Sequence, residues 1–137
     1  MTAFVDSSVF FAAAHTRDRL NQRAKILLRE TERRFTSDHV VVETWLLINS
    51  RLGRTPAERF WEAIRQGAAE VESVTSADLE AAWAIGVAFI DQAFSIVDRT
   101  SFAVMERRGV FRALSFDDDF AVYRYGRSRD KAFEVVR

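Results

Sequence analysis

Five acidic side chains carry the chemistry that this sequence offers: Asp6, Glu43, Asp98, Asp117 and Asp119. Asp6 ends the apolar run Ala3-Phe4-Val5, and Asp117 follows Leu114-Ser115-Phe116. Short apolar runs of this kind read as buried strands. In an open parallel sheet, groups just past the carboxyl ends of the strands collect in the functional crevice. Carboxylates gathered there repel one another unless a cation sits among them, so a converging set is a candidate site for a hard divalent ion. Each residue also has a local explanation. Asp6, Asp117 and Asp119 can cap a helix or a turn. Ser95-Ile96-Val97-Asp98 is a capping pattern with its carboxylate in a positive first turn. Glu43 lies in the apolar stretch Val40 to Ile48, where an ionised glutamate is costly unless paired or metal-bound. With His39 and Ser50 it could equally form the one polar stripe of its helix. Taken residue by residue, both readings stand.

Elements that would position these groups can be read along the chain. Ala3-Phe4-Val5 is a first strand, and Ser7-Ser8 can cap a short helix over residues 9–14. Residues 17–34 read as a long helix with Leu20, Ala24, Leu27 and Leu28 on one face. Phe35-Thr36 is a short strand, and Ser37 or Asp38 caps a helix ending near Gly53. Thr55-Pro56-Ala57-Glu58 has a capping threonine and a proline at the first helical position. Val71 to Val74 alternates as a strand does, and Thr75 or Ser76 opens an apolar helix to about Gln92. Ser95 and Asp98 open the next helix, which Gly109 closes. Ala113 to Phe116 and Lys131 to Val136 are the last strand candidates. Strands alternating with helices predict a three-layer α/β/α sandwich around a mainly parallel sheet. One domain is expected over residues 1–137, because nothing rich in Pro, Gly or Ser marks a linker and the only proline is Pro56.

Composition narrows the chemistry further. The chain has 137 residues, no cysteine and two histidines, which removes disulfides, thiolate zinc sites and a cysteine nucleophile. Its 20 basic and 20 acidic residues cancel, so no whole-molecule field draws it to nucleic acid. The basic residues are 18 arginines and only Lys25 and Lys131, and the planar arginine fork suits phosphate. Residues 17–34 carry seven positive and three negative side chains, and residues 124–137 five and two. These are candidate rims for a phosphate-bearing substrate. The longest apolar run, Ala81 to Ile90, is ten residues and too short to span a bilayer. The N-terminus has neither the basic segment nor the apolar stretch of a secretion signal, and a cytoplasmic protein without membrane contact is expected.

The sequence resembles a family. Val5-Asp6-Ser7-Ser8, Glu43, the segment Ser95 to Met105 and Ser115-Phe116-Asp117-Asp118-Asp119-Phe120 stand in the order and spacing of PIN-domain nucleases. Among them the VapC toxins of bacterial toxin–antitoxin pairs are most similar. The resemblance covers essentially the whole chain. It implies a PIN-like fold, a metal-dependent endoribonuclease of RNA, a homodimer and a cognate VapB-type antitoxin. Asp6, Glu43, Asp98 and Asp117 match the family's acidic quartet as catalytic and metal-holding residues, and Asp119 matches a further acidic position. Ser7 matches the small hydroxyl residue beside the first aspartate, and Thr100 or Ser101 is a candidate neighbour. Asp118 departs from the pattern, since members often carry a neutral or basic residue there. Extra charge at that point would either strengthen metal binding or hinder the RNA.

The chemistry fits that resemblance. Divalent ions held by carboxylates can activate water and offset charge on a departing oxygen without histidine or cysteine. Mg²⁺ or Mn²⁺ prefers such an oxygen-only set. Asp6, Asp98 and Asp117 are then expected to ligate directly, with Glu43 and Asp119 acting through waters or a second ion. Wording around Asp98 and Asp117 resembles members that cut structured ribosomal loops, which puts transfer or ribosomal RNA ahead of messenger RNA. Phe10, Phe11, Trp45, Leu46, Leu47, Trp61 and Trp83 could line a groove for an amphipathic antitoxin segment or simply fill the core. A receiver domain fits poorly, with a single Asp6 at the first strand, its acidic cluster last and Lys131 the only late lysine. A P-loop is excluded by the lack of Gly-x-x-x-x-Gly-Lys. A catalytically silent PIN-fold module binding protein or RNA is the alternative reading.

Overall fold

Ala3, Phe4 and Val5 have no exposed surface, because their strand lies at the centre of a parallel sheet with a helical layer on each face. The structure, a computed structural model, describes residues 1–137. The elements are β1 (Thr2–Val5), α1 (Ser7–Ala14), α2 (Asn21–Glu30), β2 (Arg33–Ser37), α3 (Asp38–Leu52), α4 (Arg54–Arg65) and β3 (Glu70–Glu72). They continue as α5 (Ser76–Ala88), α6 (Ile96–Arg108), β4 (Arg112–Leu114), α7 (Asp119–Val122), β5 (Arg124–Tyr125), β6 (Lys131–Ala132) and β7 (Glu134–Val136).

The sheet has five strands in the order β3-β2-β1-β4-β7, and all four pairings are parallel. The chain moves from β1 through β2 to β3, then crosses back to β4 on the other side of β1. Right-handed crossovers therefore put α1 to α4 on one face and α5 to α7 on the other. The expected three-layer sandwich is the observed one. The reversal between β1 and β4 is the topological switch point at which open α/β sheets bind ligands. Asp6 and Asp117 flank it.

Local sequence explains much of this. Ser37 caps α3, accepting from the Val40 amide at 3.1 Å. Thr75 with Asp78, and Ser95 with Asp98, close complete capping boxes on α5 and α6. Gly109 ends α6 at φ 66°, in the left-handed region that glycine enters without penalty.

Four expectations need correction. The helix over residues 17–34 is only Asn21–Glu30. A turn holds residues 15–20, with the Asp18 carboxylate accepting from the Leu20 amide at 2.7 Å, and the buried Asn21 amide donates to the carbonyls of Ala12 and Ala13. Arg33 and Arg34 instead pair with β1 as the start of β2. Thr55 does not cap α4, whose N-cap is Gly53 at φ 103°. Pro56 falls inside the first turn, where no backbone donor is needed. The stretch Lys131 to Val136 is two strands, because Phe133 turns into the core between β6 and β7. Finally, β5 and β6 form an antiparallel ribbon that the sequence did not announce. No helix is long and apolar enough to cross a membrane.

Aromatic packing ties α6 to α7 and the C-terminal segment. Phe102, fully buried, stacks on Tyr123 with ring centroids 4.3 Å apart and meets Phe120 edge-on at 5.0 Å. Truncating so large a buried ring leaves a cavity that the flanking elements cannot close. Phe102→Ala is therefore expected to lower stability by about 3–5 kcal/mol in chemical denaturation. A loss under about 1 kcal/mol would show that this cluster is not a core.

Candidate metal centre

Asp6 shows how the fold prepares its carboxylates. It is the N-cap of α1, 3% exposed, at the end of the central strand. Its Oδ2 accepts from Ser8 Oγ at 2.7 Å and from Ser115 Oγ at 2.9 Å, while Oδ1 has only a long contact from Ser7 Oγ at 3.4 Å. One oxygen is thus saturated and the other left free. Burial pushes its pKa up, partly offset by the hydroxyls of Ser8 and Ser115, with nearby Asp117 adding to the rise.

The same division recurs in Asp98 and Asp117. Asp98 is the third residue of α6, and its Oδ2 accepts from the Ser95 amide at 3.0 Å. Asp117 Oδ1 accepts from the Asp119 amide at 2.9 Å, and the Asp117 amide donates to Ser115 Oγ at 3.0 Å. Oxygens of Asp98, Asp117 and Asp119 converge, all within 4.8 Å of one another. Burial, first, and then the facing Asp119, Asp117 and Asp6 push the Asp98 pKa from 3.8 to about 7, against the stabilising Ser95 amide. Asp119 is pushed up as well, by burial and by Asp117 and Asp118.

Glu43 joins from α3. Burial raises its pKa, the Ser7 hydroxyl opposes this, and Asp6 and Asp117 raise it further. It therefore feels the same charges, although it lies outside the tight trio. None of the five carboxylates forms an ion pair with a basic side chain. Helix N-termini face them instead: α1 capped by Asp6, α3 capped by Ser37, and α6 opened by Ser95, each presenting its positive end.

Other expected neighbours fall differently. Asp118 turns away, 82% exposed at its side chain, and pairs with Arg137 at 2.7 Å. The triple-aspartate run therefore adds no ligand to the cluster. Thr100 and Ser101 are buried and give their hydroxyl protons to the Val97 carbonyl at 3.2 and 2.7 Å. Of the arginine rims, Arg33 and Arg34 lie at the amino end of β2, the edge opposite the carboxylates, and Arg34 is tied to the carbonyls of Leu28, Thr31 and Ala68. Arg124 holds the carbonyls of Ala121, Val122 and Tyr123, and Arg129 the Tyr123 hydroxyl at 2.8 Å. Arg17, Arg19, Arg29 and Arg127 remain exposed rim residues.

Ser8 and Ser115 are the supporting residues that sequence reasoning missed. Their hydroxyls orient Asp6, and Ser8 Oγ also accepts from the Phe116 amide at 3.0 Å. The signal was a serine within two positions of each strand-end aspartate. The donor set suits a hard divalent cation: oxygen only, anionic, each main carboxylate keeping one uncommitted oxygen, and no basic side chain to neutralise it.

Apolar residues divide into separate surfaces. Phe10 is core, whereas Val41, Val42, Trp45, Leu46 and Trp61 line a cleft of about 340 Å³ between α3 and α4. The Trp45 indole nitrogen is buried without an acceptor. Trp83, 71% exposed, lies on the other layer, in line with Leu79, Val87 and Ile90 along α5 and just past its end.

Comparison with known proteins agrees with this architecture. The 23S rRNA-specific endonuclease VapC20 of Mycobacterium tuberculosis is 37% identical over 119 residues, covering 86% of this chain and 91% of that protein. A crystal structure of M. tuberculosis VapC20, described as a sarcin–ricin loop cleaving toxin, superposes with a TM-score of 0.83 at 38% identity, over 89% of this chain and 94% of that one. The fold alone is shared with FitAcB from Neisseria gonorrhoeae, at a TM-score of 0.67 and 15% identity over 100% and 97% of the two chains. It is shared likewise with a toxin–antitoxin complex from Klebsiella pneumoniae, at 0.70 and 14% over 98% and 96%. Residues 3–125 match the PIN domain, and the chain belongs to that family.

Proposed function

We propose that this protein is a divalent-metal-dependent endoribonuclease, the toxin of a toxin–antitoxin pair, acting in the cytoplasm on a structured ribosomal RNA loop. The observation that carries the reading is the convergence of Asp98, Asp117 and Asp119 beside the buried Asp6 at the switch point. Identity to the 23S rRNA-specific VapC20 supports the substrate class.

Asp6, Asp98 and Asp117 would hold Mg²⁺ or Mn²⁺ through their uncommitted oxygens, with Glu43 and Asp119 completing the anionic wall. When bound, the ion supplies a Lewis acid that activates water and offsets charge on the leaving oxygen. Ser8 and Ser115 fix the Asp6 carboxylate so that its free oxygen is presented without rotamer search. The Ser95 amide does the same for Asp98. Exposed arginines at 17, 19 and 127 would meet the phosphate backbone. A silent PIN-fold module is disfavoured by the full set of carboxylates.

Two surfaces support protein partners. The α3–α4 cleft, with its orphaned Trp45 donor, suits an amphipathic antitoxin segment that brings an acceptor. The apolar line Leu79, Trp83, Val87 and Ile90 suits the pairing of two copies.

Partner-free protein should cut total RNA and a synthetic sarcin–ricin stem-loop to discrete fragments with Mg²⁺ or Mn²⁺. Cleavage should vanish with EDTA and fall about a hundredfold or more in Asp98→Asn and Asp6→Asn. Full metal-dependent cleavage by Asp6→Asn would remove that residue from the ligand set. Leu46→Glu is expected to keep cleavage while releasing it from inhibition by the antitoxin co-expressed with it; retained inhibition would move the antitoxin off this cleft.

Proton linkage makes a further prediction. The folded protein holds the Asp98 proton up to about pH 7, whereas the unfolded chain releases it near 3.8. The folded state therefore binds more protons in that window, and metal-free stability must fall as pH rises through it. Thermal melting of EDTA-treated protein should show a lower Tm at about pH 8 than at about pH 5, with Mn²⁺ restoring it only at the higher pH. Asp98→Asn should flatten much of that slope. A Tm indifferent to both pH and Mn²⁺ would contradict the site.

A further inference from the structure

We infer that His39 reads the ribose 2′-hydroxyl of the RNA through an imidazole Nε2 that the fold leaves as an open acceptor. The inference rests on the nuclease reading above and concerns how that site tells RNA from DNA. Hydrolysis by activated water does not use the 2′-hydroxyl, so a carboxylate centre alone would cut either backbone. Discrimination needs a contact to the 2′-hydroxyl.

His39 is the second residue of α3, one helical turn before Glu43 and on the same face. Its Nδ1 lies 3.2 Å from Thr100 Oγ1, on α6 two residues beyond Asp98. The Thr100 hydroxyl has a single hydrogen and gives it to the Val97 carbonyl at 3.2 Å. At Nδ1 the imidazole must therefore be the donor. A neutral ring protonated at Nδ1 keeps its lone pair on Nε2. No protein group bonds that nitrogen, and the buried polar atoms without partners are only His15 Nδ1 and Trp45 Nε1. The half-buried ring thus presents a bare acceptor to solvent, with its tautomer locked from behind.

Other neutral groups at the centre are already committed. Ser8 Oγ and Ser115 Oγ each donate to Asp6 and each accept a backbone amide. Ser101 donates to Val97, and the carboxylates are taken by the cation. His39 is the uncommitted neutral acceptor on the face that carries Glu43.

The test uses a synthetic sarcin–ricin stem-loop and copies carrying one 2′-deoxynucleotide at successive positions around the cut bond. Wild type should cleave the all-ribose form about five- to tenfold better than one of these copies, the loss of a single hydrogen bond. His39→Asn keeps a donor towards Thr100 but has no acceptor at the Nε2 position. It should cut both forms at the slower efficiency, with the change in KM rather than kcat. His39→Gln places an amide oxygen near that position and should recover part of the preference. Uniform cleavage of the deoxy series by wild type, or full ribose preference in folded His39→Asn, overturns the proposal. Should the variant not fold, nitrogen NMR of His39 in Asp98→Asn decides. Its Nε2 resonance should shift with the ribose stem-loop and not with its all-deoxy counterpart, and an unmoved resonance overturns the proposal. A wild type that cuts no RNA at all would instead remove the nuclease reading, which separates the two failures.

Discussion

Uncompensated negative charge at the carboxyl edge of the sheet is the constraint around which the molecule is built. Bringing Asp6, Asp98, Asp117 and Asp119 together costs both desolvation and mutual repulsion, and the chain contributes no basic side chain to offset it. What it contributes are dipoles. Serine hydroxyls, backbone amides and three helix N-termini each take one oxygen or one end of the field. These partners hold the geometry without neutralising the charge, and the deficit left over is what a divalent cation would relieve. A site built this way has its metal affinity stored as electrostatic strain in the apo protein, visible as the raised pKa values of Asp6, Glu43, Asp98 and Asp119.

Topology makes that gathering possible. A chain that progressed in one direction across the sheet would leave its strand-end aspartates in a row under one helical layer. Reversal after β3 instead places β4 against β1, so that their following residues face each other across the switch point. The crossover also brings α6 onto the opposite face with its N-terminus at the same edge. Asp98 can then approach from one layer and Glu43 from the other. The aromatic stack of Phe102, Tyr123 and Phe120 behind α6 fixes the depth at which Asp98 is presented.

Sequence patterning located every strand that carries a site residue and most of the helix starts, because apolar runs and capping boxes are local events. It placed the capping residues of α3, α5 and α6 and the glycine closing α6 correctly. It failed over residues 15–34, where Asn21 and Asp18 spend their side chains on the backbone in a turn that periodicity does not encode. It also read Arg33 and Arg34 as a helical basic face. Their strand pairing with β1 carries them to the far edge, and this is a long-range event.

Asp78 and Asp98 mark the boundary between what sequence and structure each determine. Both are the third residue of a helix, in matching capping boxes with Thr75 and Ser95. Local physics treats them alike. Burial works against both charges, but Arg107 reaches Asp78 at 2.9 Å and, with the Thr75 contacts, holds its pKa below the usual value. Asp98 meets only other carboxylates and is driven up to about 7. The same contrast separates Asp118, turned out to Arg137, from the aspartates on either side of it. Residue types and spacing along the chain by themselves determined the strands, the caps and the roster of acidic candidates, and through resemblance the family. Which carboxylates are left without a cation, and so form a site, was decided only by the tertiary structure, because Coulomb interactions depend on distances through space that the chain order does not contain.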